Sequence, residues 1–127
     1  MDAQIAHDEG DEYFFREGCH ITEWWNRSED GAASIARVRV EAGVATRWHR
    51  LTGVTERYVI LSGHGRVEVG DSDRLCEEIG PGDVVLIPPD TLQRITAGTD
   101  GELLFLAVCT PRFTPACYEE PDRPSTA

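Results

Sequence analysis

The chain contains no lysine: all 12 basic residues among its 127 positions are arginine. No Schiff-base lysine can therefore exist, which excludes pyridoxal phosphate enzymes and lysine-dependent aldolases. Positive charge is scarce as well, 12 basic against 23 acidic residues for a formal net charge of -11. Nucleic acids and anionic membranes need a basic face, so neither is an expected partner. An acidic substrate, if one binds, would be held by the fork of an arginine. The cysteines, Cys19, Cys76, Cys109 and Cys117, form no C-x-x-C pair and match no zinc spacing. Long apolar runs are missing: "LLFLAVC" from Leu103 is a strand's length, far short of a bilayer. The start, "MDAQIAHDEGDE", is acidic and lacks the apolar stretch of a secretory signal. A cytoplasmic location with reduced thiols and no organic cofactor is the expectation. A chain of this length suits one domain with a real core.

What is present is mostly strand signal. In "SIARVRVEAG", Ala36, Val38 and Val40 alternate with Arg37, Arg39 and Glu41. "ERYVILSG" and "GRVEVGD" flank the turn residues "SGHG" and read as a hairpin. "DVVLIPPD" is a short buried strand stopped by two prolines. "QRITAG" and "ELLFLAVCTP" follow, and "CHITEWWN" is an early strand. No long amphipathic helix is visible. Many short strands cut by Gly and Pro turns predict an all-β sandwich or barrel. The polar residues 1 to 12 form an arm or lack order, and the tail "YEEPDRPSTA" is expected to fray.

The stretch "GVATRWHRLTGVTERYVILSGHG" spaces Gly43, His49, Leu51, Glu56 and Gly63 in a recognisable way. Further on, "GDVVLIPPDTLQRITA" places Gly82, Pro88, Asp90, Gln93 and Ala97 at a second set of intervals. Together these resemble the two motifs of the cupin superfamily, with Leu51 where a second histidine would stand. Asp90 takes the place of a glycine, Gln93 of a histidine and Ala97 of an asparagine. The resemblance runs from about Ile35 to Pro111 and looks like a small single-domain microbial cupin. It implies a double-stranded β-helix, or jelly-roll barrel, over about residues 34–112. An N-terminal arm or exchanged strand would occupy 1–33 and a polar tail 114–127. Small cupins are often homodimers, and "CHITEWWN" is the candidate exchanged strand.

By the same resemblance His49, Glu56 and Gln93 fall on metal-ligand positions inside the barrel. Strand alternation puts Glu56, Tyr58 and Ile60 on one face, and Gln93 and Ile95 on another with Arg94 opposite. A metal needs donors at about 2.0 to 2.2 Å. One imidazole nitrogen, one carboxylate oxygen and one amide oxygen make a reduced set that would take Fe, Mn, Ni or Zn. Hydrogen bonding among the same three residues explains them equally well.

Three readings follow. The favoured one is a metal-dependent cupin enzyme, dioxygenase- or isomerase-like, acting on a small organic substrate. In the second, His49 is a base oriented by Glu56 and Tyr58 is an acid, as in sugar-epimerase cupins, which work without metal. In the third, the barrel binds or senses a small ligand without turnover. The expected site residues are thus His49, Glu56 and Tyr58 for catalysis, and His49, Glu56 and Gln93 for a metal.

Overall fold

The computed structural model describes residues 2–7 and 10–121. Eleven strands carry the fold: β1 (Tyr13–Phe15), β2 (Cys19–Trp25), β3 (Ser34–Val40), β4 (Arg50–Leu51), β5 (Thr55–Ser62), β6 (Gly65–Val69), β7 (Leu75–Ile79), β8 (Val84–Ile87), β9 (Gln93–Ala97), β10 (Leu103–Thr110) and β11 (Tyr118–Glu119). One 3-10 turn, Pro115–Cys117, precedes the last. A six-stranded sheet runs β1-β2-β3-β10-β5-β8, a three-stranded sheet runs β7-β6-β9, and β11 pairs with β4.

Alternation decides which side chains enter the core. On β3, Val38 and Val40 point inward and Arg37 and Arg39 outward. On β10, Leu103, Phe105, Ala107 and Cys109 are buried in strict alternation. Leu103, Phe105 and Ala107 meet Val67, Ile79, Ile95 and Ala97 from the smaller sheet in one apolar cluster. Burying such a side chain stabilises the fold by roughly 1.5–3 kcal/mol.

The "SGHG" segment is not a hairpin. β5 pairs with β10 and β8, whereas β6 pairs with β7 and β9. The chain crosses from one sheet to the other at Ser62–Gly65, so turn composition alone misread a sheet-to-sheet crossing. The glycines allow that crossing by close approach: a Cβ on Gly65 would lie 2.3 Å from the Thr96 carbonyl oxygen. Asp90, which replaces a motif glycine, sits at φ 61. Aspartate tolerates this left-handed conformation, and its Oδ1 accepts the Gly53 N–H at 3.0 Å.

The two ends are better anchored than their composition predicts. Glu12 bonds Arg39 at 2.8 Å, tying the arm to the outer face of β3. Tyr118 is buried in β11 rather than frayed. β2, the candidate exchanged strand, pairs with its own β3. The rest of the expected tail, 122–127, lies outside the described residues.

Candidate functional site

Backbone pairing brings the expected site residues together. His49 and Gln93 are opposed across an isolated antiparallel bridge, with His49 N to Gln93 O at 3.1 Å and Gln93 N to His49 O at 2.8 Å. Glu56 and Tyr58 point inward from β5. All four are buried.

Their side chains form two hydrogen-bonded systems. In the first, the Tyr58 hydroxyl donates to Gln93 Oε1, and Gln93 Nε2 donates to Glu56 Oε1 at 2.9 Å. The second oxygen of Glu56 has the Cys109 thiol at 3.8 Å. Burial raises Glu56 from its ordinary value of 4.5 to about 7, with the charge of His49 opposing and that of Glu17 reinforcing the rise. Because Gln93 supplies a donor to Oε1, the proton of the neutral acid belongs on Oε2. Burial also lifts Tyr58 well above 10, Glu56 adding to it, so the phenol stays protonated.

The second system holds His49. Its Nδ1 lies 2.7 Å from the Arg47 carbonyl oxygen. A carbonyl only accepts, so Nδ1 carries a hydrogen. Its Nε2 lies 3.0 Å from Glu17 Oε2. With Nδ1 already a donor, that contact needs one further proton, held by His49 in an ion pair or by Glu17 in a neutral pair. The backbone closes the circuit: Arg47 N–H donates to the Glu17 carbonyl at 2.7 Å. One residue, Arg47, thus sets both the carboxylate and the imidazole. Tyr118 stacks on the imidazole at 5.3 Å between ring centroids, and the Arg16 guanidinium lies over the Tyr118 ring, 4.5 Å from its centroid.

A cavity of about 50 Å³ opens into this region. Glu17 and Glu56 line it, with Ser34, Val38, Ala107 and Cys109. Tyr13, Glu23, Asn26 and Phe113 line it as well. His49, Tyr58 and Gln93 do not line it; they support the two carboxylates that do. The volume holds a few waters or the reactive end of a small molecule.

The three expected metal ligands therefore meet without forming a ligand set. His49 Nε2 faces Glu17, Glu56 Oε1 faces the Gln93 amide hydrogens, and Gln93 Oε1 is occupied by Tyr58. Leu51 packs with Val54, Cys109, Cys117 and Tyr118, an apolar cluster where a fourth ligand would be needed. Among the described residues no trio of His, Cys, Asp and Glu is gathered to hold a metal. So arranged, these residues do not fit a divalent ion. Burial pushes the thiols of Cys19 and Cys109 up, which keeps them protonated and poor nucleophiles.

Glu17 is the residue that sequence reasoning missed. It lies in the β1–β2 turn, outside both motifs, and no periodicity marks it. Its only local signal is the following Gly18, whose φ of 103 lets the turn fold back under the site.

No family model and no curated protein matches the sequence. Solved structures do. Streptomyces Pac13, a nucleoside dehydratase, superposes with a TM-score of 0.75 at 18% identity, covering 98% of this chain and 95% of its own. Oxalate decarboxylase from Bacillus subtilis gives 0.76 at 17% identity over 94% of this chain and 33% of its own. CapF, a capsular polysaccharide assembling protein from Staphylococcus aureus, gives 0.72 at 16% over 85% and 33%. These are cupin-fold proteins. The chain has the cupin fold, its six- and three-stranded sheets sharing one apolar core.

Proposed function

We propose that this protein is a metal-independent acid–base enzyme that removes water from a small β-hydroxy carbonyl compound. The observation that carries this reading is the pair of carboxylates lining one cavity, each in a different environment. Glu17 is backed by His49 at 3.0 Å, and in the ion-pair form it is a base. Glu56, raised to about 7 by burial, keeps a proton on Oε2, the oxygen that Gln93 does not bond, and is an acid. Two titratable groups whose environments differ in this way supply an acid and a base at one pH.

The chemistry balances as follows. Glu17 takes the proton from the carbon beside the carbonyl. The electron pair of that C–H bond forms the new C=C bond. The β C–O bond breaks, and Glu56 gives its proton to the departing oxygen, which leaves as water. The proton on Glu17 then returns to Glu56 through solvent. Tyr58 and Gln93 act as positioning residues for Glu56, and Arg47 and Tyr118 position His49. Pac13 being a nucleoside dehydratase of the same fold supports the reaction class by analogy. The metal-assisted reading has less support, since every expected donor atom is already bonded within the protein.

The test uses diacetone alcohol, an uncharged β-hydroxy ketone, in D2O. Parent protein should exchange the hydrogens beside the carbonyl and form the unsaturated ketone, with or without EDTA. Glu17→Gln should lower both by about 10²–10⁴-fold. Glu56→Gln should retain exchange and lose water elimination. Exchange that persists in Glu17→Gln, or that EDTA abolishes, would overturn the assignment.

A further inference from the structure

The cavity of the proposed reaction has a second property, the sign of its lining. Three carboxylates border it, Glu17, Glu23 and Glu56. No Arg, Lys or His side chain is among its described lining residues. Glu56 is 8% exposed, and its Oε2 faces only the Cys109 thiol at 3.8 Å. Glu23 stands at the rim with both of its bonds long and on the same oxygen: the Tyr13 hydroxyl at 3.5 Å and Asn26 Nδ2 at 3.4 Å. Asn26 Nδ2 has a shorter bond to the Phe113 carbonyl at 2.9 Å, so its hold on Glu23 is secondary. The Glu23 carboxylate is therefore available as an acceptor at the entrance.

From this we infer that the substrate carries hydroxyl or ammonium donors and no negative charge, and that Glu23 is the residue that selects it. The inference rests on the cavity being the reaction site. It sets this chain apart from a fold neighbour that acts on oxalate. An anion would enter past the Glu23 carboxylate toward Glu17, whose neighbouring His49 is already paired with it at 3.0 Å, and would meet no cation among the described lining residues. A donor-bearing end would replace the long bonds of Glu23 with a short, charge-assisted one.

The experiment compares glycerol, its amine serinol and its acid glycerate, matched in skeleton, by NMR titration of the full chain. The parent should bind serinol at least about tenfold more tightly than glycerate, with glycerol between. Because a chain of net charge -11 favours cations everywhere, two variants separate local from general effects. Glu23→Gln should lower the serinol-to-glycerate ratio at least about threefold. Glu77→Gln, exposed on β7 and not among the residues lining this cavity, should leave it unchanged. An equal fall in both variants, no fall in Glu23→Gln, or glycerate binding as well as serinol overturns the inference. Retained exchange of diacetone alcohol in that event would leave the acid–base reading standing, whereas its loss in parent protein would remove both.

Discussion

Replacing Glu56 by glutamine should make the protein more stable above neutrality and change little in mild acid. Glutamine is the isostere of the neutral acid, and its amide oxygen can still accept from Gln93 Nε2, the bond now made at 2.9 Å. In the parent, burial raises the carboxyl from 4.5 to about 7. Across that window the unfolded chain has released its proton and the folded chain keeps it. Folding thus takes up a proton, and stability is lost as pH rises through the window. At ~1.4 kcal/mol for each tenfold change in proton affinity, the full effect is about 3 kcal/mol. Most of it falls between about pH 5 and about pH 8. Urea unfolding of parent and variant at those two pH values measures it. Groups remote from Glu56 titrate alike in both proteins, so the double difference isolates Glu56 together with the neighbours that feel its charge, His49, Glu17 and Tyr58. A parent and variant that lose stability in parallel would refute the buried-acid argument, and the general acid with it.

Three further variants test the supports. Gly65→Ala would bring a Cβ to 2.3 Å from the Thr96 carbonyl oxygen and should cost several kcal/mol or prevent folding. Gly31→Ala, with nothing within 4 Å, should be within about 0.5 kcal/mol of the parent in thermal or urea unfolding. Tyr58→Phe leaves the buried Gln93 oxygen without its donor and should destabilise by about 1–3 kcal/mol. An unchanged unfolding midpoint would mean that Gln93 is not held by Tyr58.

The fold was legible because its alternation is clean and the spacing of its two motifs is kept, although only the first is nearly complete. Ala36, Val38 and Val40 face in as predicted, and Glu56, Tyr58 and Ile60 share one buried face. The meeting of His49, Glu56 and Gln93 was legible from motif spacing alone. The hairpin reading at "SGHG" failed because turn residues report local curvature, not which sheet the next strand joins. The ligand reading met a different limit. Spacing says which side chains converge, but not which of their atoms are already bonded. Glu17 could not be found at all, because its approach to His49 depends on a turn more than thirty residues away in sequence, closed only in three dimensions. The same holds for Glu23 and Phe113, which reach the cavity from opposite ends of the chain.

The departures from the cupin ligand pattern are mutually consistent once Glu17 is included. A metal site would need the free Nε2 of His49, and Glu17 occupies it. It would need a second imidazole at position 51, and leucine there packs against Cys109 and Tyr118. It would need a strong donor at position 93, and glutamine there instead presents an amide hydrogen to Glu56. Each change alone would leave a buried group poorly satisfied. A free histidine nitrogen would lack a partner, or a buried carboxylate would lack a donor, at a cost of about 1–3 kcal/mol or more. Together they satisfy one another, and the reaction proposed above would rest on two carboxylates in place of a metal. Restoring a metal would therefore take more than Leu51→His. Glu17 would also have to release His49, and Gln93 would have to become a ligand rather than a donor to Glu56.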